Sequence, residues 1–260
     1  MAMLELTDAQ ISTWVATFVL PLFRVGAVLM TMPIIGTRML PMRVRLYVAV
    51  AITFVIVPGL PPLPEVNPLS LQGLMLCAEQ LIVGALFGLA LQMLFQAFVI
   101  AGQIVAVQMG MAFSSMVDPA NGVNVTVVSQ FMTMLVSILF LLMNGHLVVF
   151  EVLTESFTTL PVGSALRVDQ FWSLAGRMSW VLGAGLLLIL PAIAALLVVN
   201  IAFGVMTRAA PQLNIFSIGF PLTLVMGMVI FWVSLADILS HYQDLASETL
   251  QWLRELARAR

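Results

Sequence analysis

Residues 80–117 read QLIVGALFGLALQMLFQAFVIAGQIVAVQMGMAFSSMV, without a single charged side chain. As one helix this stretch would measure about 57 Å at about 1.5 Å per residue, nearly twice the hydrocarbon thickness of a bilayer, about 30 Å. Two arrangements accommodate it: the helix leaves the lipid inside other protein, or it breaks near Gly102 or Gly110 and re-enters. Lipid cannot hydrogen-bond an open backbone, so either way the stretch makes this chain a helical membrane protein.

Composition agrees. Of 260 residues, 62% are apolar and 8% charged, with a mean hydropathy of +1.11, whereas soluble domains carry about 25% charged residues. A net charge of −2 without a basic tract argues against a nucleic-acid partner, because phosphate binding needs clustered cations. The one cysteine, Cys77, excludes an internal disulfide framework and a thiolate metal cluster. His146 and His241 are far apart in sequence, and neither a nucleophile elbow nor a phosphate loop is present. No enzymatic activity, metal or cofactor is expected.

Working outward from the long run, the bilayer ruler gives about six helices in hairpins, an all-α fold. Their cores fall near Ile11–Met32, Val44–Val57, Leu71–Val107, Val125–Phe150, Met178–Met206 and Ile215–His241. The first helix is expected from Asp8 to Met32, with Thr7 and Gln10 as a capping box. Glu5 and Asp8 stand before the first apolar run, where a secretory leader would be basic, so this segment is expected to stay. Pro58, Pro61, Pro62, Pro64 and Pro68 separate the second helix from the third, and Pro161 and Gly163 mark a more polar connection after the fourth. Arg38, Arg43 and Arg45 crowd the first loop and Arg208 the fifth, which favours loops one, three and five inside and the N-terminus outside. Arg254, Arg258 and Arg260 in the tail sit awkwardly with that topology.

Several helices carry polar residues on one line. Thr126, Ser129, Gln130, Thr133, Ser137 and Asn144 do so in the fourth, and Gln92, Gln96 and Gln103 in the third. Such a face must meet protein or water; interhelical hydrogen bonding at about 0.6 kcal/mol each and a wet conduit both satisfy it. Small residues (Gly84, Gly88, Gly183, Gly185, Ala192, Ala194, Ala195) permit close helix approach. Of the few charges at membrane depth, Arg24, Glu79 and Asp237, the first two are expected to pair, or to pair with another subunit, rather than relay protons. The tail, with Leu235, Leu239, Tyr242, Leu245, Leu253 and Leu256 on one side and Asp244, Glu248, Gln251 and Glu255 elsewhere, reads as an amphipathic interface helix.

Between the third and fourth helices the chain reads GMAFSSMVDPANG at 110–122. Glycine, proline and an Asx residue there bracket bulky Met111, Phe113, Met116 and Val117: turn chemistry around an apolar tip. Such a tip inserts into something, and methionine fills an irregular gap and yields when displaced. A re-entrant loop packed only for stability would look the same.

With APQLNIFSIGFPL at 210–222 and RMLPMRVR at 38–45, that segment gives the chain its kinship. It resembles the FliR/SpaR family of the flagellar and virulence-type III secretion export gate across its whole length, the flagellar branch more closely. The resemblance implies a gate subunit, in a bacterial inner membrane at the flagellar basal body, assembled with FliP-type and FliQ-type subunits and adjoining a FlhB-type switch protein. Unfolded flagellar proteins would be the cargo. It further implies a FliP-like unit over 1–175 and a FliQ-like helical hairpin over 176–260. The loop after the third helix would plug the closed channel through Gly110, Met111, Phe113, Ser114, Met116, Val117, Asp118 and Pro119. The fifth loop, with Arg208, Pro211, Gln212, Asn214 and Phe216, would face the cytoplasmic entrance. A self-contained secondary transporter is the competing reading; it calls for convergent charges and matched broken helices.

Overall fold

The computed structural model describes residues 8–37, 39–64, 66–67, 70–111, 115–117, 124–164, 168–209 and 219–258. They form an all-α membrane protein with one small β-hairpin. In order the helices are α1 (Asp8–Thr31), α2 (Met42–Ile56), α3 (Leu71–Gln108), α4 (Val127–Leu142), α5 (Gly145–Thr159), α6 (Val168–Leu188), α7 (Leu190–Ala209), α8 (Phe220–Ser234) and α9 (Ile238–Arg258). Strands β1 (Ser115–Val117) and β2 (Asn124–Thr126) stand between α3 and α4. Five stretches among the described residues are long and apolar enough to cross a membrane, six if α4 and α5 make one broken span.

The first three helices end close to where the sequence puts them, and α3 runs unbroken over 38 residues, so the expected alternative of a break at Gly102 is wrong. The later three each divide. The expected helix Val125–Phe150 stops at Leu142, because Asn144 turns the chain with φ 57°, a left-handed conformation that asparagine tolerates. Pro191 interrupts the expected Met178–Met206 helix: it has no N–H to give and disfavours helical backbone before it, and the break falls at Ile189. The expected Ile215–His241 helix passes through a tighter turn at Leu235–Asp237 before α9. Thr7 of the capping box lies outside the described residues.

Two compact units partition these elements: residues 1–92, 144–176 and 249–260 in one, 93–143 and 177–248 in the other. They follow contact density, whereas the expected 1–175/176–260 division concerns kinship of segments.

In the first unit α1 lies on α3. Gly84 faces the Arg24 carbonyl and the Ala27 methyl, and Gly88 faces Thr31 Oγ1, so small residues set the approach as their spacing suggests. Ala16, Leu20 and Cys77 form a buried cluster with Phe23 and Leu76 against it. In the first loop Arg45 ties the turn together: Nη2 donates to Thr37 O (2.8 Å) and Leu40 O (2.9 Å), and Nε to Leu40 O (3.1 Å). Arg43 is exposed, and Arg38 lies outside the described residues.

In the second unit Ala97, Val181 and Ala184 are packed with Met93, Ile100 and Leu245. Gly185 of α6 sits against α3, where a Cβ would come 2.8 Å from Ala97 O. The edge-on contact of Phe95 with Phe140, centroids 5.7 Å apart, links α3 to α4.

Candidate functional site, the finger after helix three

α3 closes with Met109 N–H donating to Val105 O (2.9 Å) and Gly110 N–H to Val107 O (3.0 Å). Gly110 then takes φ 78°, the left-handed region that a glycine enters without steric cost. Half-buried Met111 follows. The chain next forms an antiparallel hairpin, with Ser115 opposite Thr126, Met116 opposite Val125 and Val117 opposite Asn124. Residues 118–123, DPANG and Val123, connect the two strands. Phe113, Ser114, Asp118 and Pro119 lie outside the described residues; Met116 and Val117 are placed by their backbone on β1.

A β-ladder was not part of the sequence expectation. Its signal was present: Asn121–Gly122, a turn dipeptide, between short runs holding Val117 and Val125–Thr126. The ladder pairs backbone groups that would otherwise lie open.

The base of the hairpin is fixed on its α4 side. Thr126 caps α4, its Oγ1 accepting from Ser129 N–H at 3.2 Å. Ser129 Oγ has one proton and donates it to Val99 O of α3 at 3.0 Å. The 2.9 Å contact between the two hydroxyls therefore runs from Thr126 to Ser129. Gly102 makes the crossing possible, since a Cβ there would lie 2.6 Å from Ser129 Cα and 2.8 Å from its nitrogen. Further along α4 the polar line turns inward on its own helix: Thr133 Oγ1 donates to Ser129 O (2.9 Å) and Ser137 Oγ to Thr133 O (2.7 Å). Among the described residues, only its first turn binds another helix. Gln130 is half-buried, as are Gln92 and Gln103, and Gln96 is exposed.

Arg24 and Glu79 belong to the other unit. Arg24 is fully buried; its Nε donates to Gln80 Oε1 (2.7 Å), Nη1 to the Ser156 carbonyl (3.0 Å) and hydroxyl (3.1 Å), and Nη2 to Leu160 O (3.0 Å). The guanidinium also stands 4.2 Å from the centre of the Phe157 ring. The expected direct pairing with Glu79 is replaced by a relay: Gln80 Nε2 donates to Glu79 Oε1 at 3.3 Å, and Gly163 N–H donates to the same oxygen at 3.1 Å. One amide serves both charges because Gln80 points inward beside Arg24, while Glu79, one residue earlier, reaches the turn at Gly163.

Asp237 is exposed, and Arg208 is exposed in the last turn of α7. Pro211, Gln212, Asn214 and Phe216 lie outside the described residues. Along the apolar line of the amphipathic tail, Tyr242, Leu253 and Leu256 are buried, Leu235 and Leu245 are half-buried and Leu239 is exposed; Arg177 pairs with Glu248 at 3.1 Å, and Gln170 Nε2 donates to Leu256 O at 3.0 Å.

Comparison with known proteins places this architecture. Residues 15–249 match the family described as bacterial export proteins, family 1. The chain is 39% identical over 255 residues to the flagellar biosynthetic protein FliR of Escherichia coli (strain K12), covering 98% of this chain and 97% of that one. It is 35% identical to the protein of the same name from Pectobacterium carotovorum subsp. carotovorum over the same shares. With that of Aquifex aeolicus (strain VF5) the identity is 30%, over 88% and 90% of the two chains.

Proposed function

The chain belongs to the bacterial export proteins, family 1, and from that premise we propose that it is a subunit of the flagellar type III secretion export gate whose finger at 110–122 plugs the closed channel. FliP-type and FliQ-type subunits complete the channel, and a FlhB-type switch protein adjoins its cytoplasmic entrance near Arg208, Pro211, Gln212, Asn214 and Phe216. The bacterial inner membrane at the flagellar basal body is its place, and unfolded flagellar proteins are its cargo. Within the chain, residues 1–175 act as a FliP-like unit and 176–260 as a FliQ-like hairpin.

What carries this reading is the combination of a fixed base and a glycine-jointed hairpin. The Gly102–Ser129 crossing and the Thr126 cap hold one side, and Gly110 gives the other a joint. Apolar side chains of Met111, Phe113 and Met116 would close a narrow passage by excluding water, as hydrophobic constrictions do. Methionine would yield to any passing side chain, and contacts of that kind select little among cargo sequences. Ser114, Val117, Asp118 and Pro119 would shape the tip. The uncharged amides of Gln92, Gln96, Gln103 and Gln130 and the hydroxyl of Thr133 offer surfaces that would not trap charged cargo. The transporter alternative gains nothing from Arg24, whose donors are committed to Gln80, Ser156 and Leu160.

The test is Phe113→Ala and Met116→Ala, separately and together, in cells with the gate at rest. Ion leak should rise, most in the double variant, while export of flagellar subunits continues. Wild-type leak in both single variants and the double would take the plug away from these residues.

A further inference from the structure

Two residues before the Gly110 joint, α3 is gripped by a different part of the chain. Helices α7 and α8 pack on each other, and each sends one element to the end of α3. From α7, Asn200 Nδ2 lies 3.4 Å from the Gln108 carbonyl and 3.4 Å from its Oε1. That carbonyl is one of those left without an intrahelical partner at a helix C-terminus. From α8, Gly227 receives the side chain of Met109, which is only 1% exposed. A Cβ at 227 would meet Met109 Cγ, with Met109 Cε at 3.1 Å and Leu196 Cδ2 at 3.3 Å. Asn200 is otherwise a costly residue for an apolar helix, and among the residues of α8 whose burial is described Gly227 alone is buried. Both are spent on the last two residues ahead of the joint.

We propose that Asn200 and Gly227 are positioning residues that latch the finger's joint to the α7–α8 hairpin, so that the direction in which β1 and β2 leave α3 is set by that hairpin. The inference rests on the plug reading only for its consequence in conduction. The geometry is self-consistent: an amide fixes the rotation of the terminal carbonyl, and a methionine in a glycine notch fixes the height of the helix end. Because α7 also leads into the segment expected at the entrance, displacement of α7 would reach the joint directly through Asn200 and, through its packing on α8, at Gly227.

Asn200→Asp removes both amide donors at constant shape, and Gly227→Val fills the notch. The readout specific to positioning is the labelling rate of a single cysteine, Ser115→Cys in a Cys77→Ala background, by a membrane-permeant maleimide in intact cells carrying the full chain. Each latch variant should change that rate at least threefold while accumulation stays near wild type; the thermal midpoint should hold in Asn200→Asp and fall in Gly227→Val, where the valine overpacks Met109. Met109→Ala should restore the rate in the Gly227→Val chain, because it empties the space the valine needs. Leak should change in parallel, with deletion of residues 112–123 as the reference. If the deletion leaks and the latch variants alter neither labelling nor leak, the latch is overturned. If the deletion does not leak, the plug reading fails, and labelling alone decides the latch: an altered rate upholds it, an unaltered one overturns it. Failure of Met109→Ala to rescue would likewise overturn it.

Discussion

Helices α3 and α7 are equally apolar and have opposite surroundings. Both qualify as membrane spans, but 50% of the most apolar stretch of α3 is buried within the chain against 11% of that of α7. α7 leaves Leu197, Val198, Ile201 and Val205 exposed, whereas Ala97, Phe98, Ala101, Val105 and Ala106 of α3 are completely covered. Hydropathy cannot produce this difference, since an acyl chain is as apolar as a leucine and no hydrophobic force sorts helices within lipid. Small residues and polar bonds can. Where α3 has Gly102 another backbone lies in van der Waals contact; around Gly204 of α7 a Cβ would find nothing within 4 Å. Composition says both helices avoid water, and only side-chain size and polar partnership decide which is the spine.

The most severe way to break that contrast is one substitution made on each helix. Gly102→Val sets a branched side chain against Ser129 Cα and N, and a backbone cannot rotate away as a side chain can. The α3–α4 crossing must open, taking the Ser129–Val99 bond and the base of the finger with it. A loss of about 3 kcal/mol or more is expected, seen as poor accumulation in membranes or a thermal midpoint in detergent lowered well outside experimental scatter. Gly204→Val should stay within about 0.5 kcal/mol. Equal losses at the two sites would erase the distinction.

A slightly smaller effect is expected from the polar side of the argument. Arg24→Ala strips the Gln80 amide oxygen and the Leu160 carbonyl of their arginine donor, leaves the Ser156 carbonyl with the Leu160 N–H alone, and opens a void beside Phe157. Leaving buried acceptors unsatisfied costs about 1–3 kcal/mol, and thermal unfolding of the solubilised chain should register a loss near the upper end. The double change Arg24→Met with Gln80→Leu should recover part of it, since removing both partners leaves fewer orphaned groups. A double variant no more stable than Arg24→Ala would show that orphaned acceptors are not the source of the loss, since the methionine also refills the void.

How far these relations could be read from the sequence follows the same division. Ends of α1, α2 and α3 are written in prolines and run length. The break at Asn144 is written in one residue that tolerates a left-handed turn without demanding it, and the turn at Leu235–Asp237 contains neither glycine nor proline. Pro191 does announce the division before α7, since it cannot donate to the preceding turn. In the finger, the apolar tip and its glycines were legible, and the hairpin could have been, from Asn121–Gly122 between β-branched residues. The partners of Arg24 were not legible: Gln80 is 56 residues away and Ser156 is 132, and both are neutral, so charge pairing points to Glu79 instead. Nor were Asn200 and Gly227, each a single residue whose role exists only once α7 and α8 reach the end of α3.

The finest test asks for a difference of sign. At Gly88 of α3 a Cβ would meet Thr31 Oγ1, and that hydroxyl is already engaged, donating to Ala27 O at 2.7 Å and Val28 O at 3.3 Å. Rotating it away forfeits both bonds and still leaves the new methyl 2.7 Å from Thr31 Cβ and 3.0 Å from the Met32 nitrogen, so α1 must also give way. Gly88→Ala should therefore cost about 1 kcal/mol. Gly204→Ala adds the same methyl to open space and trades a flexible helix residue for the best helix former, a gain of up to about 1 kcal/mol. One methyl group on each of two equally apolar helices should thus move the thermal midpoint in opposite directions. A rise at both positions would mean that α1 and α3 are held apart by something other than the glycine contact, and that the spine of this fold lies elsewhere.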